Sequence, residues 1–377
     1  MSTLKVNAIR GTGASSDAIS VNSTDGTCTA KITNNLSNKN LVINGAMQCA
    51  QYGTTSTTNG RGTVDRFQHL YAGTDEAPTF TQHALTSSDT GPWEKGFRYS
   101  LHATNGNQTS GAGAADEVFF YYQFEAQDIA NSGWDYTSAS SYITFSFWVK
   151  SSVAQNFYGS FTSRDGTQQS YPFETGSLTA NTWTKITKKI PGNSNITINN
   201  DNGEGLTLGI MAFYGTDYTA SGVTLDAWGT KNNTAVFPDN TSTWYTTNDA
   251  TFEITGVQLT ATDYCPDYPH ISYGDELARC KRYYQLNQNS TGYAYNSTTC
   301  RCIISGTVDM RTGPSIAIVN GTNTIEDFGA ANRNLTNLGG LSGASALGGL
   351  VDATITSSTS GKAHALSAGA ISMSAEL

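Results

Sequence analysis

Charge is the scarcest ingredient of this 377-residue sequence: Asp, Glu, Lys and Arg make up 14% of it, against about 25% in an ordinary soluble domain. A chain rich in uncharged polar residues can stay disordered, but aromatics reach 11%, with 19 Tyr and 15 Phe, which supplies the apolar area for folded cores. Basic clusters are missing as well. The net charge is −9, which excludes a surface built to neutralise phosphates, so no nucleic-acid partner is expected. No stretch approaches about 20 apolar residues, so no membrane insertion is expected. The opening MSTLKVNAIRGTG has no apolar h-region of signal-peptide length, which predicts a chain made in a cytoplasm and remaining soluble.

Catalytic signatures are also lacking. The five His residues form no H-E-x-x-H, and neither a G-x-S-x-G elbow nor a GxxxxGK[ST] phosphate loop occurs. Glycoside hydrolysis needs two carboxylates facing each other about 5 to 9 Å apart. Asp116, Glu117, Glu125 and Glu253 are available, yet nothing in their spacing selects a pair, and Glu253 falls on the expected outward face of its strand. The chain is therefore expected not to be an enzyme, with no catalytic residues assigned. Asp65-Arg66 is expected to be a buried structural ion pair or a turn-fixing contact, in preference to a catalytic dyad. The six cysteines, Cys28, Cys49, Cys265, Cys280, Cys300 and Cys302, contain no C-x-x-C and no His at finger spacing, which argues against thiolate-bound metal. Cys300 and Cys302 share one strand face without the geometry of an easy bridge. Buried reduced thiols are expected, with disulfides the alternative in an oxidising compartment.

What is present is β pattern. Residues 1–40 give short extended pieces, LKVNAI, AISV and TCTAKI, which cannot bury a core alone; they are read as an attachment and oligomerisation arm, the alternative being a flexible tail. Residues 41–271 hold longer aromatic-rich strands. The clearest is 142–150, where Ile143, Phe145, Phe147 and Val149 alternate with Thr144, Ser146, Trp148 and Lys150. Further strands are expected at 182–190, with Ile186 and Ile190 on one face and Trp183, Lys185 and Lys189 on the other, and at 206–213. Phe252 and Ile254 fall on the opposite parity from Val257 and Leu259, so Gly256 is expected to absorb a bulge. Residues 272–284 read as the sole helix, with Ser272 and Asp275 as its capping box and Leu277, Cys280 and Tyr284 as its apolar stripe. It should need tertiary contacts to persist. Residues 285–377 are expected to form a small β-sandwich. The fold class is all-β: a jelly-roll β-sandwich with an N-terminal extended arm, one short helix and a smaller C-terminal β-domain.

Three stretches together resemble structural proteins of tailed bacteriophages, particularly those of marine cyanobacteria: 40–48 (NLVINGAMQ), 63–67 (TVDRF), and 252–259 (FEITGVQL) followed by 273–280 (YGDELARC). The AEL ending is similar too. The resemblance implies a virion tail-fibre or appendage subunit, assembled in a host cytoplasm as a homotrimer. The arm would contact other virion tail proteins, and the middle domain, similar to carbohydrate-binding modules, would contact a host-surface glycan or protein during adsorption. The alternatives are an architectural connector, baseplate or capsid-appendage protein without receptor binding, and a polysaccharide-degrading tail tip. Glycan binding demands exposed aromatic faces beside polar groups. Trp228, Trp244, Tyr245, Tyr214 and Tyr218 lie in or beside polar turn regions and are the candidates, with capping of a sandwich edge or a subunit interface as the alternative for each. Modules of the resembled type often hold a structural calcium, and Asp217, Asp226, Asp239 and Asp249 lie in suitable loops. None has EF-hand order, so no metal ligand is assigned and no cofactor is expected.

Overall fold

The computed structural model describes residues 6–13, 17–24, 26, 28–30, 40–287, 290–327, 333–346, 348–355 and 360–377. Of the proposed arm, 1–5, 14–16, 25, 27 and 31–39 thus lie outside the described residues. Its described part is a three-stranded antiparallel sheet of Ala8–Ile9, Ile19–Val21 and Cys28–Ala30.

The central region is a jelly-roll sandwich of two six-stranded sheets. Sheet I runs, in spatial order, Gly229–Thr230, Gln169–Ser177, Asn156–Ser163, Glu204–Tyr214, Glu117–Glu125 and Phe67–Ala72. Sheet II runs Thr184–Pro191, Tyr142–Ser151, Thr251–Thr260, Tyr99–Thr104, Thr79–Ala84 and Thr55–Ser56. The period-two reading of 142–150 holds: Ile143, Phe145, Phe147 and Val149 are all 0% exposed, meeting Phe161, Phe173 and Phe252 from the facing or neighbouring strands. Burial of each such side chain contributes roughly 1.5–3 kcal/mol. The parity slip after Ile254 is a bulge, since Thr255 pairs with Trp148 but Gln258 with Ser146. Gly256 sits there at φ +61°, and a Cβ on it would lie 2.7 Å from the Phe97 ring.

Two short helices were not legible in the sequence, α1 (Ala126–Ala130) and α2 (Thr243–Thr246). Helix α3 (Tyr273–Lys281) is the expected one, with Ser272 Oγ accepting from the Asp275 amide. It ends before Tyr283 and Tyr284, because the chain turns there into strand Tyr284–Asn287. Its Cys280 and Leu277 pack with Ile43, Cys49 and Tyr283, which ties the helix to the start of the sandwich.

The expected C-terminal sandwich is instead a closed sheet. Ala363–Ser374 pairs on one side with Thr291–Ala294 and on the other with Ser315–Asp327. The ring is completed through Thr299–Ser305, Gly348–Ile355 and Arg333–Ser345. Closure removes the sheet edges that an open layer would leave unpaired. The interior holds Cys300, Cys302, Ile304, Val351, Ala353, Ile355, Ile371 and Met373.

Asp65 and Arg66 are both 1% exposed, but they do not pair with each other. Asp65 accepts from the Gln51 amide and Nε2, each at 2.7 Å. Arg66, in the left-handed region at φ 72°, pairs with Glu376 and donates to Gln123 O at 2.8 Å. Its guanidinium lies 3.4 Å from the centroid of the Tyr283 ring. The left-handed turn aims Arg66 away from Asp65 and into the junction between sandwich and C-terminal barrel.

Candidate functional site

The five aromatic candidates separate into two groups. Trp244 and Tyr245 are 0% exposed and present no face to a ligand. The stretch NTSTWYTTND forms α2, which directs both rings inward: Trp244 Nε1 donates to Thr251 O at 3.0 Å, and Tyr245 stacks on Phe213 with ring centroids 4.3 Å apart. Ser and Thr richness suggested a turn, whereas one helical turn satisfies the same backbone and buries its aromatic pair.

Trp228, Tyr214 and Tyr218 stay half-buried. Strand Gln169–Ser177 turns Tyr171 and Phe173 into the core, leaving Ser170 and Pro172 on the outer face. Those two, with residues of the 220–236 loop and Trp228, line a groove of about 480 Å³. Trp228 Nε1 donates to Pro191 O at 2.7 Å, and its ring is tilted against Tyr171 at 5.4 Å. It therefore closes the sandwich edge and forms part of the groove at once. The loop is tied down by its own backbone: Asp226 N donates to Pro172 O at 2.8 Å, Val236 N to Tyr218 O at 2.8 Å, and Ala220 N to Phe237 O at 3.0 Å. Lys188 pairs with Asp226 at 3.0 Å. A wall fixed in this way loses little entropy when a ligand arrives.

Tyr218 meets Tyr214 edge-on at 4.9 Å. Tyr214 in turn contacts Phe119 and Phe237, extending the aromatic surface over the outer face of sheet I. Further along that face, Glu204 accepts from Tyr121 Oη at 3.2 Å, Gln123 Nε2 at 2.9 Å and Arg164 Nε at 2.9 Å. Burial and the Glu204 carboxylate push the Tyr121 phenol up to about 12. The sequence reading missed this polar floor. Its signal was strand Glu117–Glu125, where Phe119 and Tyr121 stand on one parity while Phe120, Tyr122 and Phe124 fill the other. A strand aromatic on both faces has something to cover on its outer side.

The carboxylates considered for hydrolysis are engaged elsewhere. Glu253 faces outward as expected, but it is 2% exposed because His102 and Lys150 flank it in the register. Lys150 Nζ lies at 2.9 Å, Ser100 Oγ at 2.9 Å and His102 Nδ1 at 3.4 Å. Burial alone would raise this carboxyl; contacts with His102 and Lys150 outweigh it and bring it down to about 2. Glu125, on sheet I, holds Arg282 through both oxygens and Tyr283 Oη at 2.6 Å. Asp116 accepts from Gly113 N, and burial raises Glu117.

Asp217, Asp226, Asp239 and Asp249 do not converge on a common ion site. Among the described residues, the grouping with ligand atoms mutually within 4.8 Å is Cys49, Asp65 and Cys280, three positions remote in sequence. Three donors are one short of a closed tetrahedral site, and both Asp65 oxygens already accept hydrogen bonds from Gln51. Burial lifts Asp65 to about 6 and pushes the Cys280 thiol up, so the cluster fits a core contact of thiols beside a hydrogen-bonded carboxyl. Cys300 and Cys302 lie on one face with sulfurs 3.3 Å apart, well beyond the roughly 2.05 Å of a disulfide. Cys49, Cys265, Cys280, Cys300 and Cys302 are free thiols; the Cys28 side chain lies outside the described residues.

A larger cleft of about 590 Å³ lies where α1, α3 and the end of strand Thr251–Thr260 meet, lined in part by Asn40, Asp128, Arg279 and Arg282. Its cations are committed, Arg282 to Glu125 and Arg279 to Asn40 O at 3.2 Å.

No family model matches the chain, and no curated protein does. Solved structures that align include the enzymatically active domain of bacteriophage CBA120 tailspike protein 4, at 10% identity and TM-score 0.30, covering 59% of this chain and 22% of that one. A putative sugar binding protein from Bacteroides thetaiotaomicron aligns at 10% identity and TM-score 0.30, over 59% of this chain and 100% of the other. The family 11 carbohydrate-binding module of a Clostridium thermocellum cellulosomal cellulase aligns at 11% identity and TM-score 0.24, over 55% of this chain and 95% of the other. The chain thus spans about a fifth of the tailspike chain it aligns with.

Proposed function

We propose that this chain is a structural subunit of a bacteriophage tail fibre or appendage, that its sandwich attaches to a saccharide on the host surface, and that it is not itself an enzyme. The observation that carries the binding reading is the groove beside Trp228: a fixed, concave, mixed polar and apolar surface lined by Trp228 and by the hydroxyl-bearing residues Ser221, Thr224 and Thr230. Sugars present C–H faces and hydroxyls, and this surface offers a partner for each. The virion assignment is supported by the sequence resemblance spanning 40–284. Val6, just before the small three-stranded sheet at 8–30, and Ile9 within it are 41% and 52% exposed, which suits docking onto other tail proteins and trimerisation. The test is calorimetric titration of the intact chain with polysaccharide released from the host envelope. Trp228→Ala is expected to weaken binding by about tenfold, corresponding to roughly 1.4 kcal/mol, with Trp244→Ala serving as a fold-perturbing control away from the groove. Equal affinity in folded Trp228→Ala and the parent would remove the groove from the account.

A further inference from the structure

We infer that the groove selects uncharged saccharide segments and discriminates against uronate, sulfated or phosphorylated ones; this rests on the groove being the saccharide site. None of the residues lining it is ionisable. Its polar groups are hydroxyls, the Asn232 amide and exposed backbone, and its apolar groups are Pro172, Val223, Val236 and Trp228. Hydroxyls and amides serve as donor and acceptor alike, which matches a sugar hydroxyl. An anionic substituent would need a cation or a cluster of aimed N–H donors to repay its desolvation.

Two of the three nearby cations, Lys188 and Arg164, are paired with carboxylates. Lys188 is paired with Asp226 at 3.0 Å behind the loop. Lys231 interrupts the lining without joining it; burial, and then Arg164, lower its pKa from the ordinary lysine value. Arg164 is bound to Glu204 at 2.9 Å. The chain as a whole carries −9, which repels polyanions before they reach the surface. Selectivity therefore arises from an absence: the groove holds no counter-charge, so an acidic sugar loses water there and gains no ion pair.

The experiment is a binding array of oligosaccharides in matched pairs differing only at C6, such as β-1,4-mannohexaose with the β-1,4-mannuronate hexamer, probed with the intact chain and Trp228→Ala. A second variant, Thr230→Lys, places a cation at an exposed position of the groove. Expected are Trp228-dependent binding of neutral members, at least tenfold weaker binding of their acidic partners, and less than a twofold change in neutral affinity between 50 and 500 mM salt. Thr230→Lys should narrow the neutral-to-acidic gap several-fold. Trp228-dependent binding of acidic members as strong as of neutral ones would overturn the selectivity while leaving the groove as the site. Failure of every member to bind, or binding indifferent to both variants, would overturn the groove itself and the selectivity with it.

Discussion

Single side chains decide how firmly the two halves hold together. Arg66 is fully buried, pairs with Glu376 and lies against Tyr283. Removing one partner leaves a buried charge unanswered, so Glu376→Ala is expected to lower stability in urea by roughly 3–5 kcal/mol. A double-mutant cycle with Arg66→Met should recover much of that loss, whereas additive losses would mean the pair is not coupled. Acid stability also has a residue-level origin. Burial lowers His69 from 6.5 to about 4, so the folded state resists its protonation and stability falls as pH drops from about 6.5 to 4. Glu253, lowered from 4.5 to about 2, contributes stability that is present above 4.5 and lost as pH falls toward 2. Asp65, raised from 3.8 to about 6, acts in the opposite sense and gains stability as pH falls through 6. Urea melts of Glu253→Gln should accordingly lose the Glu253 share of the pH dependence between 4.5 and 2 while keeping the part above 4.5; an unchanged profile would mean that Glu253 is not held as an ion pair.

At the scale of elements, what was legible followed from period and parity. The alternation at 142–150, the two faces of 184–190, the bulge at Gly256 and the capped start of α3 all express local backbone rules acting on their own residues. Helix α2 escaped because its four residues are poor helix formers held by tertiary burial of Trp244 and Tyr245; propensity alone could not show it. Barrel closure escaped because it depends on the last strand pairing on both sides, a long-range fact. Among the candidate aromatics, polarity of the flanking residues identified loops but could not tell which ring turns inward. The Gly256 bulge can be tested directly: Gly256→Val forces a β-branched side chain into a left-handed position and into Phe97. A loss of more than 2 kcal/mol in chemical denaturation is expected, by strain and overpacking together. A loss below about 0.5 kcal/mol would show that the bulge is not held as described.

For the whole molecule, the sandwich, α3 and the C-terminal barrel are joined by polar contacts that range from exposed to buried. Glu125 bonds Arg282 and Tyr283, and Arg311 bonds Asn202 O and Ala375 O. Such a body would present its groove in a fixed orientation, as the proposed attachment role requires. Trimeric assembly predicts a light-scattering mass three times the 40.1 kDa of the chain at micromolar concentration, and a monomer mass would remove trimerisation from the account. The measurement that bears most directly on the central claim is binding of the intact chain to host cells beside non-host cells, with folded Trp228→Ala as comparison. Host-selective binding that is lost in the variant is the predicted result; binding to neither cell type by a folded chain would contradict surface attachment and favour the alternative proposal of an architectural connector.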